Sequence, residues 1–271
     1  MDSFFNESLE EAWIERFGRD LPIGLDVDSC AFLNHRSVRK YSDRTIPREM
    51  VQYLVAAAQS ASTSSNLQTW SVVTVTDEAK KSALSIASGS QKQVLNAPLL
   101  CIFLADLHRL NVFASKRGLE PDALDTVEMF MVALVDAALA AERMVCAAEA
   151  QGLGVCYIGG MRNRPDQVKE ILNLPDLTFG VFGLCLGYPA KGSEGSLKPR
   201  LAQDQVWFEN EYPSELDSNE YDERAGRFFA SQGMDMSTPW SAKCGERTML
   251  SGLSGRENLL EFLQSQGFLR R

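Results

Sequence analysis

The sequence predicts an α+β fold with a modest sheet and many helices. Strand-like stretches alternate with helical ones, and only four or five strand signals occur in 271 residues. A further observation narrows the class. Gly152-Leu153-Gly154 continues as Val155-Cys156-Tyr157, so the third glycine of a dinucleotide fingerprint is missing. The pair also follows a helical stretch rather than a strand, and a doubly wound dinucleotide fold is not expected.

Residues 7–18 read as an amphipathic helix with Leu9, Ala12, Trp13 and Phe17 on one stripe among acids. Residues 19–34 are an irregular link. Pro47 suits the first turn of a helix running to about Ala61, where its missing N–H costs nothing. Ser60 to Gln68 is a hydroxyl-rich loop. Trp70 to Thr76 is β-branched and reads as a strand. Asp77 and Glu78 open the next helix, where carboxylates favour the positive end. Leu99 to Ala105 reads as a buried strand. Residues 122–151 carry the longest helical signal, roughly 40 Å if straight. Its run Met129 to Val135 is apolar on every side, which predicts a helix buried all round and a subunit interface, or a central helix wrapped by its own domain. Gly154 to Ile158 is a short strand, Pro165 to Leu172 a helix and Gly180 to Gly187 an apolar strand. Lys191 to Gln203 is a loop. Residues 205–271 are less apolar, carry helical signals at 221–232 and 256–266, and read as an arm packed on something else. No repeat occurs.

The formal net charge is −9. It is unevenly placed. Residues 1–30 hold eight acids and two bases, and residues 209–223 hold seven acids and no base. Residues 35–48 hold five bases (Arg36, Arg39, Lys40, Arg44, Arg48) against Asp43. The rest of the chain is balanced. An acidic chain is a poor sequence-independent nucleic-acid binder, which needs many unopposed phosphate contacts. Cations gathered into fourteen residues of such a chain form either a solvated basic face or an anion site.

The six cysteines form no C-x-x-C pair, and several sit in apolar runs, as in Leu100-Cys101-Ile102 and Leu184-Cys185-Leu186. Such thiols behave as small core hydrophobes. His35 and His108 are the only histidines, and no zinc spacing occurs, so no metal is expected. The acidic start is not a secretory signal, and no apolar run of about 18 residues would span a membrane. A cytoplasmic protein is expected.

There is no G-x-S-x-G, P-loop or H-E-x-x-H. With two histidines and no paired-carboxylate motif, hydrolytic catalysis by side chains is not expected, and no side chain is singled out as catalytic. What remains binds anions and rings. In His35-Arg36-Ser37-Val38-Arg39-Lys40-Tyr41, an extended chain turns Arg36, Val38 and Lys40 one way and His35, Ser37, Arg39 and Tyr41 the other. Arg39 offers a planar fork that matches phosphate, and Ser37 a hydroxyl. Lys198 and Arg200 alternate in the same manner around Pro199. Thr63-Ser64-Ser65-Asn66 offers hydroxyls to a polar ring edge or a sugar chain. Tyr157-Ile158-Gly159-Gly160 lets backbone amides approach a flat ligand. Singly each is a common surface or turn feature; together they are more specific.

These stretches resemble the flavin-dependent nitroreductase family, in its branch of oxygen-insensitive NADPH nitroreductases and NADPH-flavin oxidoreductases. The resemblance rests on HRSVRKY (35–41), TSSNLQ (63–68), GSQKQV (89–94), GLGVCYIGGMRN (152–163), FGLCLGYP (182–189), LKPRL (197–201) and WSAKCGERT (240–248), in the family's order. It implies a nitroreductase-like α+β fold, a central mixed sheet flanked by helices, in an intertwined homodimer with tightly but non-covalently bound FMN at the subunit interface. Residues 31–204 would be the FMN-binding core, 205–271 an arm packing on the dimer, and 1–30 an acidic helical extension without a counterpart in the shortest members. His35, Arg36, Ser37 and Arg39 would hold the phosphate, ribityl chain and pyrimidine edge, and Lys198 and Arg200 would complete these contacts. Thr63, Ser64 and Ser65 would reach the flavin across the interface, and Gln91 would meet the ribityl chain or ring edge. Tyr157, Ile158, Gly159 and Gly160 would lie along the ring, with a backbone amide near its reactive nitrogen.

The implied activity is ping-pong hydride transfer from NADPH or NADH to nitroaromatics, quinones or free flavin, with the protein stabilising negative charge on the reduced ring. A flavin-binding redox sensor or FMN carrier with little turnover is the alternative, and a flavin-free anion-binding module a third reading. One departure from the branch concerns the donor. Residues 231–239, before Trp240, hold no base and one acid, Asp235, where the NADPH-preferring branch has arginines. Weak NADPH discrimination, or use of NADH, is expected.

Overall fold

A computed structural model describes residues 8–20, 32–193, 195–234, 237–253 and 255–271. The acids Asp2, Glu7, Asp26 and Asp28, Cys30 and Asp235 lie outside the described residues. The chain divides into two compact units, Met1–Arg36 with Glu194–Leu253, and Ser37–Ser193 with Ser254–Arg271.

The larger unit is built on four strands, β1 (Trp70–Val75), β2 (Leu99–Asp106), β3 (Gly154–Ile158) and β4 (Thr178–Gly187), in the order β1-β2-β4-β3. Each strand pair is antiparallel. The α+β class stands, but the parallel part of the expected mixed sheet is confined to a bridge from Ser37 to Val155 on β3. β2 is buried along its whole length and is apolar from Leu99 to Ala105; Asp106 at its end pairs with Arg109 at 3.2 Å. The strand's side chains alternate between two cores. Leu99, Cys101, Phe103 and Ala105 enter one, and Leu100, Ile102 and Leu104 the other. Burying each large apolar side chain contributes about 1.5–3 kcal/mol. The β2–β4 register shifts between Phe103 and Leu104, which pair with Phe182 and Gly180. The bulged Val181 changes the parity of β4, so Phe179, Val181, Leu184 and Leu186 share a core.

Helices cover both faces. The first core takes α2 (Arg48–Gln59) and α6 (Val127–Ala150). The second takes α3 (Glu78–Ala87), α4 (Lys92–Asn96) and α7 (Pro165–Leu172). Pro47 precedes α2 as its N-cap, one residue outside the helix. Asp77 caps α3 by accepting the Lys80 N–H at 2.8 Å. A short α5 (His108–Ser115) follows β2. The C-terminal α10 (Leu259–Ser265) joins this unit, with Leu263 and Phe268 in the first core.

α6 corrects one expectation. It starts at Val127 because the Thr126 hydroxyl caps it, and its 24 residues span about 36 Å. It is not buried all round. Ala133, Ala137, Ala140, Ala141 and Met144 face the core, while Val127, Met131, Val135 and Leu139 are exposed at four-residue spacing. Small residues let the helix approach the sheet closely, and the large apolar ones form an exposed stripe.

The smaller unit contains α1 (Leu9–Phe17), α8 (Asn219–Ser231) and α9 (Trp240–Arg247). The last has no counterpart among the sequence-read helices. Ser8 and Glu11 form a reciprocal capping box at the start of α1, and Gly18, with φ +64°, ends it. Asp222 on α8 anchors α9 by accepting the Ser241 N–H and hydroxyl at 2.8 and 2.6 Å.

Candidate functional site

The site candidates of the smaller unit lie on two short extended segments. In residues 197–200, Leu197 and Pro199 are buried and Lys198 and Arg200 exposed, as the pleat of an extended chain requires. Each carbonyl from 198 to 200 accepts from a side chain. The donors are Arg16 Nη1 to Lys198 (3.1 Å), the Tyr221 hydroxyl to Pro199 (3.1 Å) and Arg224 Nη2 to Arg200 (2.6 Å). The Arg200 N–H donates to the Arg16 carbonyl at 2.7 Å. The main chain is thereby held while both cations project outward. On the other segment, Arg16 Nε donates to the Leu33 carbonyl at 2.8 Å and Arg16 Nη2 makes a short bond to the His35 carbonyl. His35 is half-buried. Arg36 faces the other way, buried, with its Nη1 on the Gly195 carbonyl at 3.3 Å. The structure thus brings His35 to Lys198 through Arg16 and turns Arg36 away from His35.

In the larger unit, Val38 donates its N–H to the Val155 carbonyl at 2.8 Å, so residues 37–39 run beside β3. A Cβ on Gly154 would lie 2.6 Å from Val38, and glycine is what permits this approach. Val38 is buried and Ser37 and Arg39 are exposed, which matches the expected alternation. Lys40, expected on the face of Val38, is exposed instead.

At the end of β3, the Ile158 side chain is buried in the core, leaving its backbone for a ligand. The Tyr157 hydroxyl donates to Glu142 at 3.1 Å, and its ring meets Phe182 edge-on at 5.2 Å. Burial, and then the Glu142 charge, raises the phenol's pKa, so Tyr157 stays a neutral donor. Gly159 and Gly160 follow as a short turn. A Cβ on Gly160 would lie 2.3 Å from the Ser88 carbonyl and 2.5 Å from Gln91 Nε2. That glycine is thus required by packing within the protein, not only by a ligand. Gln91 itself donates to the Ser88 carbonyl at 2.9 Å, so the structure brings Gln91 and Gly160 together.

Arg256 completes this corner. It donates from Nη2 to the Gly159 carbonyl at 3.1 Å and from Nε to Asn163 Oδ1 at 2.8 Å. Arg162 donates to the Val181 carbonyl at 2.6 Å. Burial, and then the Arg256 charge, lowers its pKa.

Thr63, Ser64 and Ser65 lie on a separate loop whose backbone is unusual. Ser65, Asn66 and Gln68 have φ of +48°, +57° and +54°, a region that non-glycine residues rarely adopt. Two groups hold the loop there. Asp136, fully buried on α6, accepts the Ser64 N–H at 3.0 Å and the Thr69 N–H and hydroxyl at 3.0 and 2.8 Å. Arg109 on α5 donates to the carbonyls of Gln68 and Trp70 at 3.2 and 3.0 Å. The loop's described side-chain bonds run to α6 and α5 and not to β3.

Arg16, Asp136, Arg256 and Arg109 escaped the sequence reading. Two carried a signal. Arg16 lies four positions after Ala12 on the apolar stripe of α1, and Asp136 is a lone acid inside the most apolar stretch of α6. The thiols behave as expected. Cys101, Cys156 and Cys185 are buried, and burial pushes the Cys101 pKa up to about 12. Among the described residues no three His, Cys, Asp or Glu side chains group as metal ligands, and no helix is long and apolar enough to cross a membrane.

Taken unit by unit, the residues suit parts of a flavin mononucleotide. In the smaller unit the exposed cations Lys198 and Arg200 match a phosphate; in the larger unit Ser37 and Arg39 offer a hydroxyl and a cation, and Tyr157 beside a side-chain-free peptide matches a flat ring. The family model described as Nitroreductase family matches residues 33–188, and that of its C-terminal domain matches residues 198–271. The chain is 43% identical over 203 residues to FMN reductase (NADPH) of Bacillus subtilis strain 168, covering 73% of this chain and 81% of that protein. Among solved structures it is similar to the NfrA1 nitroreductase of B. subtilis, with a TM-score of 0.83, 37% identity, and 89% and 98% of the two chains covered. It is also similar to the NADPH:FMN oxidoreductase of Vibrio harveyi complexed with NAD+, with a TM-score of 0.77, 34% identity, and 89% and 98% covered.

Proposed function

The chain belongs to the nitroreductase family, and on that premise we propose that it is an FMN-dependent oxidoreductase that uses NAD(P)H to reduce nitroaromatics, quinones or free flavin. The observation that carries the reading is the segment Lys198–Arg200. Its carbonyls are bound from behind and its two cations point outward. A main chain fixed in this way leaves two exposed cations available to an anion.

FMN, when bound, supplies the two-electron redox chemistry. The protein's part is binding, orientation and charge. His35, Ser37, Arg39, Lys198 and Arg200 would bind the phosphate and the polar edge. Arg36, with its side chain turned inward, would contribute through its backbone. Tyr157, the backbone of Ile158, Gly159 and Gly160 would line the ring, and Gln91 would sit beside it. Cations along the polar edge favour the ring in its reduced, negatively charged form.

Thr63–Ser65 would serve the partner subunit's flavin. The exposed stripe Val127, Met131, Val135 and Leu139 supports a homodimer, since apolar faces of this kind seek cover. A cytoplasmic location is supported by the free thiols of Cys101, Cys156 and Cys185.

The test is anaerobic mixing. FMN-loaded protein should bleach with NADPH or NADH, and a nitro compound or quinone should restore the colour over many turnovers. Colour restored only once, without turnover, would indicate a carrier or sensor instead.

A further inference from the structure

Arg16 is the only base in α1, and it is 4% exposed. Burying a guanidinium costs free energy unless its N–H groups are satisfied. Its three nitrogens meet three backbone carbonyls, those of Leu33, His35 and Lys198. Its own carbonyl takes the Arg200 N–H. One residue thus ties together two segments that lie more than 160 positions apart in sequence, and both carry candidate phosphate ligands. A planar fork can serve three divergent acceptors at once, whereas a lysine ammonium on a flexible stem cannot hold them in one plane.

Arg16 is not the sole contact of this region. Just past the end of α1, Arg19 pairs with Asp204 at 3.0 Å and with Glu220 at 2.9 Å. These contacts touch neither His35 nor Lys198. Arg16, by contrast, bonds the His35 and Lys198 segments directly.

We propose that Arg16 is a positioning residue for the flavin phosphate, pre-organising His35, Lys198 and Arg200 by clamping their backbone. This rests on the reading that those residues receive the phosphate. It also gives the N-terminal helix a role in cofactor selection. Pre-organisation strengthens binding by removing the cost of ordering the ligands as the phosphate docks. Its loss should therefore be felt by the phosphate and not by the ring.

The experiment compares FMN with riboflavin, which lacks the phosphate. Flavin-free wild type, Arg16→Gln, Arg16→Lys and Arg19→Gln are titrated with each, read by quenching of flavin fluorescence, after thermal melting confirms folding. Wild type should prefer FMN. Arg16→Gln and Arg16→Lys should each lose about 10- to 100-fold in FMN affinity while riboflavin binding stays near the wild-type value. Arg19→Gln should keep the wild-type ratio. Should the Gln variant fail to fold, the Lys variant, which keeps the charge, carries the comparison. An equal loss for both flavins would mean a merely structural role and would overturn the proposal. So would a wild-type ratio in Arg16→Lys, since charge alone would then suffice. Wild type that takes up neither flavin defeats the functional reading, whereas unchanged Arg16 variants of an FMN-preferring wild type defeat this proposal alone.

Discussion

Thr69 gives both its backbone N–H and its hydroxyl to a single oxygen of Asp136, at 3.0 and 2.8 Å. The second oxygen takes the Ser64 N–H at 3.0 Å. One buried carboxylate therefore closes both ends of a loop that contains three residues at positive φ.

Asp136→Ala removes the acceptor for three donors at once. Donors stranded in this way cost about 1–3 kcal/mol apiece when buried, and the loop relaxes to limit the sum. We expect a loss of about 3–5 kcal/mol, as for a broken buried charge network, together with faster proteolysis within residues 63–69. Asp136→Asn, which keeps one acceptor oxygen, should lose less. Thermal unfolding measures both. An Ala variant within about 1 kcal/mol of wild type would show that the loop holds itself.

Arg256 places a cation on the Gly159 carbonyl. That peptide's other end is the Gly160 N–H, so the cation polarises it into a stronger donor. With the ring along Tyr157–Gly160 as proposed, Arg256→Gln should lower the midpoint potential of bound FMN by about 20–40 mV, corresponding to about 1–2 kcal/mol for two electrons. Arg256→Lys should recover part of the shift. Spectroelectrochemical titration reads it. An unchanged potential in the Gln variant would remove Arg256 from the tuning of the ring.

The hydrogen bond from Arg19 holds the Glu220 carboxyl below its ordinary value of 4.5. A depressed folded-state pKa gives stabilisation that is full above the unfolded value and is lost as pH falls through the folded one. The pair is exposed, so the effect is small, about 0.2–1 kcal/mol. Wild type should melt slightly above Glu220→Gln at neutral pH, and the gap should shrink as pH falls through and below the ordinary carboxylate range. High salt should narrow the gap at neutral pH. A gap that widens on acidification would contradict the assignment.

The strands and most helices were legible because their causes are local. β2 is apolar from Leu99 to Ala105, β3 lies between glycines, and Pro165 opens α7. The alternation in 35–39 and 197–200 was also legible, since an extended backbone turns successive residues to opposite sides. What failed were matters of distance in sequence. Apolar residues all round α6 do not say which of them find cover, and among the described residues Val135 and Leu139 stay exposed. The Gly159-Gly160 pair suggested room for a ligand. The structure adds a second reason, the close approach of Ser88 and Gln91 to Gly160. Arg16 and Arg256 could not be found from spacing, because their partners are carbonyls, which every residue has.

Flavin uptake through the basic segments is measured most directly by equilibrium titration of the flavin-free protein with FMN. Wild type should saturate at a single flavin per protomer. Arg39→Ala, which removes an exposed cation next to Ser37, should bind about 10- to 100-fold more weakly, the loss expected for one charge-assisted phosphate contact. A wild-type protein with no saturable uptake of FMN, or an Arg39→Ala variant of undiminished affinity, would contradict it.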